Sequence, residues 1–78
     1  MPRITLIYFG SVLDTTGIPS EIIDSPATLN ELNASLVARF PWLAQATYRF
    51  SVNRKLAEGD HQLADGDEIA LLPPFAGG

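Results

Sequence analysis

The sequence predicts an α+β domain, a mixed sheet with one main helix packed on one face, and three observations carry that prediction. Two nearly continuous apolar runs, RITLIYFG and EIALL, lie close to opposite ends of a chain of 78 residues. Between them the apolar spacing changes from the alternation of a strand to the three-and-four spacing of a helix and back again. Proline, glycine and aspartate divide the rest into segments short enough for hairpins.

Arg3 to Gly10 opens the order as a strand, rich in β-branched and aromatic residues and apolar enough to be covered on much of both faces. A loop is expected around Asp14 to Gly17. The stretch PSEIIDSP then reads as a second, short strand closed by Pro26, because proline cannot donate to a sheet ladder. From Thr28 onward Leu29, Leu32, Leu36 and Phe40 fall on one stripe of a helix of about three turns. Thr28 and Glu31 form a capping-box pattern at its start, and Pro41 marks its end.

Tyr48, Phe50 and Val52 alternate with Arg49, Ser51 and Asn53, which predicts a strand with one face in the core and one in water. A short extra element is expected near Leu56. Ala64-Asp65-Gly66-Asp67 supplies turn chemistry before the last strand, Glu68 to Leu72, which Pro73 and Pro74 must terminate. The two most apolar strands, first and last, are expected side by side and parallel in the sheet centre, with the helix crossing one face. That arrangement is the β-grasp, or ubiquitin-like roll. The expected division is a β-grasp domain over residues 1–72 and a flexible tail over 73–78.

Composition limits what such a domain does. A chain this short has one core and buries about 60% of the surface of its unfolded form. Hydrophobic residues make up 46% of it, too many for disorder. There is no cysteine, hence no disulfide, thiolate metal site or cysteine nucleophile. No apolar stretch approaches the roughly 20 residues that span a bilayer, and MPRITLIYFG lacks a signal-peptide cleavage pattern, so a cytoplasmic protein without a membrane partner is expected. Nine acidic against five basic residues give a net charge of -4, which argues against nucleic-acid binding. The basic cluster Arg49, Arg54 and Lys55 reads as solvated surface.

No catalytic constellation emerges. His61 is the single histidine and stands in a polar loop, a surface histidine rather than a base or ligand. Asp65, Asp67 and Glu68 lack the ligand spacing of a calcium loop and read as turn-forming acids, so no metal site is expected. The candidate chemistry lies instead in LLPPFAGG. A glycine carboxylate is a poor electrophile until another enzyme converts it to a mixed anhydride, as ATP-dependent adenylation does. Two glycines let a thin strand thread a narrow channel and leave the activated carbonyl unobstructed. Pro73 and Pro74 would stiffen the base of that strand. Gly-Gly at a given site occurs by chance roughly once in 200 chains, so a frayed end is the weaker reading once the fold pattern is added.

The pattern LADGDEIALLPPFAGG, with Phe50-Ser51-Val52-Asn53 ahead of it and Tyr8-Phe9-Gly10 at the end of the first strand, resembles the ubiquitin-like family of small sulfur-carrier subunits of molybdopterin synthase. The resemblance covers essentially the whole chain, with Phe75 and Ala76 at the variable positions. It implies that an E1-like activating enzyme adenylates Gly78 with ATP and that a sulfur donor converts the adenylate to a thiocarboxylate. It also implies that the tail, Pro73, Pro74, Phe75, Ala76 and Gly77, carries the sulfur into the large synthase subunit, where it passes to cyclic pyranopterin monophosphate. The chain itself would bind no cofactor and would not be catalytic alone. Since one helix covers one face of a sheet, Thr5, Ile7 and Phe9 are expected on the other. With Leu72 and Phe75, Ile7 and Phe9 would dock the large subunit and, in turn, the activating enzyme. Two rivals share the fold and ending: the carrier for the thiazole ring of thiamin, and a protein modifier joined to lysines. The Pro-Pro pair and the length of the first loop favour the molybdopterin side over the thiazole one.

Overall fold

The computed structural model describes residues 1–73. It contains a five-stranded sheet built from β1 (Arg3–Tyr8), β2 (Ser20–Asp24), β3 (Arg49–Val52), β4 (Lys55–Ala57) and β5 (Glu68–Leu72), in the order β2-β1-β5-β3-β4. β1 and β5 run parallel, with Leu6 opposite Ile69 and Tyr8 opposite Leu71, and every other pairing is antiparallel. The two most apolar strands therefore lie side by side as their composition requires, since a strand flanked on both edges and covered by a helix has least access to water. Helix α2 (Leu29–Arg39) crosses one face, and a shorter helix, α1 (Gly10–Thr16), joins β1 to β2. Among the described residues no helix is long and apolar enough to cross a membrane.

α2 begins where its cap demands. The Thr28 hydroxyl accepts a hydrogen bond from the Glu31 backbone N–H at 3.3 Å and donates to the Glu31 carboxylate at 3.0 Å. Leu29, Leu32 and Leu36 are all buried, and they meet Ile4, Leu6, Tyr8, Ile69 and Leu71 from the two central strands. Phe40 ends the helix half-buried, edge-on to the Tyr8 ring with centroids 6.3 Å apart. Pro41 stops the helix, and Pro41–Gln45 continues as a 3-10 turn that drives Leu43 into the core.

Three details differ from the sequence reading. The loop expected around Asp14 to Gly17 is mostly helix: α1 takes up Gly10–Thr16, and the first strand stops at Tyr8 instead of Gly10. With no acidic residue in its first turn and no side-chain cap, this helix has weak local signals. What holds it is burial of Val12 and a left-handed Gly17 whose N–H returns to the Leu13 carbonyl. The alternation in β3 also fails to separate core from water. Val52 is buried and Phe50 half-buried, as expected of the core face, but Ser51 on the opposite face is only 8% exposed. Its neighbours across the ladders are Leu56 and Ala70, so the face away from α2 is itself partly apolar.

A polar tie supplements the core. The buried Tyr8 donates its hydroxyl to Glu21 Oε2 at 2.6 Å, and the same oxygen accepts from Arg39 at 2.8 Å. This joins β1, β2 and the end of α2. Burial first, and the Glu21 carboxylate second, push the Tyr8 hydroxyl well above its ordinary ionisation range.

Leu36→Ala should cost about 2 to 5 kcal/mol, a large part of a small domain's stability, and the shift in urea midpoint measures it. The raised Tyr8 value sets a direction for alkaline stability. Below pH about 10 both folded and unfolded chains keep the phenol proton. Above it the unfolded chain loses the proton first, so stability falls with rising pH by up to about 1.4 kcal/mol per unit from this group. Tyr8→Phe should be less stable at neutral pH yet show a shallower decline between pH 10 and 11.5, which urea unfolding at several pH values would display.

Candidate functional site

The ladder registers sort the side chains onto two faces. Across the face away from α2 stand Ile22 opposite Thr5, Ile7 opposite Ala70, Leu72 opposite Arg49, and Leu56 opposite Ser51. Phe9 continues the same alternation just beyond β1. Among the described residues, apart from Met1, the large hydrophobic residues that are exposed are Phe9 at 44%, Ile22 at 62% and Leu56 at 61%, and all three belong to this one face. Ile7, Phe9, Leu56, Ala70 and Leu72 line a shallow groove of about 440 Å³ on it. A contiguous apolar surface of this kind on a small domain is a candidate docking face.

Of the residues expected at a partner surface, the structure brings Ile7, Phe9 and Leu72 together in this groove. Phe75 and the rest of the candidate tail, Pro74, Ala76, Gly77 and Gly78, lie outside the described residues. Pro73 is described, and it fixes where the chain leaves the sheet. Its ring packs so closely on Gly10 that a Cβ added there would stand 3.0 Å from Pro73 Cγ. Gly10 also has φ +57, a conformation that glycine adopts without penalty. Together with the Phe9 N–H donating to the Leu71 carbonyl at 3.2 Å, this anchors the root of the tail beside Phe9.

Sequence reasoning misses Leu56, Ile22 and Gly10 among the residues of this site. Leu56 was placed only as a short extra element, although a two-residue hairpin at Asn53-Arg54 would have put it opposite Ser51. Ile22 gave no signal, because PSEIIDSP fits either facing. Gly10 was read as the end of a strand, whereas it is the turn on which Pro73 rests. The acidic residues near the last strand act within the turn. Asp67 accepts from the Ala64 N–H and from the Asn53 amide, both at 2.9 Å, and Asp65 accepts from the Arg3 N–H at 2.6 Å. His61 is exposed, and its carbonyl accepts from the Leu29 N–H. Among the described residues no group of three or more carboxylate or imidazole side chains is placed to hold a metal ion.

The model of the ThiS family matches residues 6–78. The chain belongs to the ThiS family. Human molybdopterin synthase sulfur carrier subunit is 34% identical to this ThiS-family chain over 83 residues, covering 97% of the chain and 94% of the human protein. A chain in the complex of subunits 1 and 2 of the molybdopterin-converting factor from Helicobacter pylori is 29% identical, with a TM-score of 0.71, covering 97% of this chain and 99% of that one. Small archaeal modifier protein 1 of Haloferax volcanii shares the fold at a TM-score of 0.81 and 21% identity, covering 96% of this chain and 100% of its own. The ThiS-family assignment accords with the resemblance read from the sequence and with the β-grasp arrangement of its strands.

Proposed function

We propose that the chain is the sulfur-carrier subunit of a molybdopterin synthase. The observation that supports this best is the agreement with named carrier subunits along almost the whole length of both chains, in which the human relative is 34% identical. The existence of a two-subunit complex in Helicobacter pylori supports a large-subunit partner. The division of labour follows from the chemistry. In this reading the chain acts as a substrate and reagent for other enzymes, and the apolar face of its sheet is where they dock.

In this reading residues 73–78 form a tail whose last residue, Gly78, is the reacting group. An E1-like enzyme adenylates its carboxylate with ATP, releasing pyrophosphate. A sulfur donor then displaces AMP and leaves a thiocarboxylate. The cofactor-like work belongs to that enzyme, and the chain holds no bound cofactor. An ionised thiocarboxylate is nucleophilic through sulfur, and binding of the tail inside the large subunit replaces a bimolecular encounter by a positioned attack on cyclic pyranopterin monophosphate. Each transfer is completed when water cleaves the acyl–sulfur bond and returns Gly78 to its carboxylate, and two of them, each from a freshly loaded tail, supply the sulfurs of the dithiolene. Pro73, Pro74, Phe75, Ala76 and Gly77 give the reach, and Ile7, Phe9, Leu72 and Phe75 belong to the docking surface.

The thiocarboxylated chain with its large subunit should convert cyclic pyranopterin monophosphate to molybdopterin without further ATP, while the carboxylate form stays inert. Mass spectrometry of the chain and a fluorescence assay of oxidised pterin read both species. Thiazole formation, or linkage to lysine amines without molybdopterin, would transfer the assignment to the corresponding rival. Phe9→Asp should weaken binding to the large subunit and to the activating enzyme by at least about tenfold, with an unfolding free energy changed by less than about 0.5 kcal/mol because Phe9 is exposed. Calorimetric titration beside urea unfolding separates the two effects.

A further inference from the structure

The hairpin between β3 and β4 carries a side chain that its backbone does not favour. Asn53 has φ 51 and Arg54 has φ 71, so both central residues of a two-residue loop lie in the left-handed region. Such a loop is best served by Asn followed by Gly. Asn53 fits, and its amide is fully employed, donating to Asp67 at 2.9 Å and accepting from the Glu68 N–H at 3.0 Å. Arg54 is the misfit, since a long side chain at positive φ is disfavoured where glycine would not be.

Among the described residues no polar contact of the Arg54 side chain repays that conformation. Among the described residues the one ion pair is between Arg39 and Glu21, and Arg54 makes no side-chain hydrogen bond. Its side chain instead borders the apolar groove at the end away from Pro73, where Glu68 also lies. An unusual backbone state kept for an unpaired cation beside a docking groove points to function rather than stability. The chain as a whole is negative, with a net charge of -4, so a carboxylate on a partner is repelled in general and welcomed only over a local cation.

We propose that Arg54 is a specificity residue of the docking face, receiving a carboxylate on the rim of the docked large subunit while the apolar groove holds a hydrophobic side chain beside it. The planar guanidinium suits a two-point hydrogen bond to a carboxylate. A protein that fills the groove but lacks the carboxylate leaves Arg54 desolvated and unpaired, which turns the cation into a device for rejection as well as attraction. This inference rests on the carrier reading of the same face.

The test sets stability against affinity in the full chain. Arg54→Gly should raise the urea midpoint, because glycine suits the turn, and yet raise the Kd for the large subunit about tenfold at physiological salt. Arg54→Lys should keep part of the affinity through its charge, Arg54→Glu should lose about a hundredfold, and the salt dependence of association should flatten in Arg54→Gly. A merely structural arginine would move midpoint and affinity together. Parent binding with Arg54→Gly within about twofold of it would overturn this inference and leave the carrier reading intact. A parent chain that fails to bind the large subunit would remove the docking reading and the role of Arg54 with it.

Discussion

The parallel pairing of β1 with β5 is the constraint on which the rest of the architecture depends. Parallel neighbours cannot be joined by a tight turn, so everything between Tyr8 and Glu68 has to travel back across the sheet, and α2 is the crossing element. That single crossover covers one face. The chain has no second long helix among its described residues to cover the other, so the opposite face keeps Phe9, Ile22 and Leu56 in water. The core and the exposed apolar face are thus two results of one topological choice. The same pairing places the end of β5 next to the end of β1, where Gly10 receives the ring of Pro73.

Much of this was legible in the residues because local and global signals agree. Leu29, Leu32 and Leu36 name the buried stripe of α2, Thr28 caps it, and the apolar character of RITLIYFG and EIALL identifies the strands buried in the sheet centre. α1 was not legible, since Val12 and Leu13 are too few to establish a period and its stability comes from packing after the fold has formed. The facing of β3 misled for a different reason. Alternation reports one face in water only when the outward face is truly wet, and Ser51 is covered by apolar neighbours that come from β4 and β5. Leu56 and Ile22 became visible as site residues only once the registers were known.

The candidate site divides along the same line. Its proposed chemistry rests on a motif alone, because glycine at the positions of an activated carbonyl would have a steric reason independent of the fold. Its apolar groove was readable in part: Ile7, Phe9 and Leu72 follow from the topology, but the rim does not. Arg54 looked like one more solvated cation in a basic cluster, and only the left-handed backbone beneath it sets it apart from Arg49 and Lys55.

The central position of β5 also has a mechanical meaning. The strand that leads into Pro73 is hydrogen-bonded to β1 on one side and β3 on the other. A pull on the chain beyond Leu72, directed along the strand, loads both ladders in shear, so several hydrogen bonds must give way together instead of peeling one by one. A load applied to the chain beyond Leu72 therefore meets a strand gripped from both sides, and the domain does not unzip from that end one bond at a time.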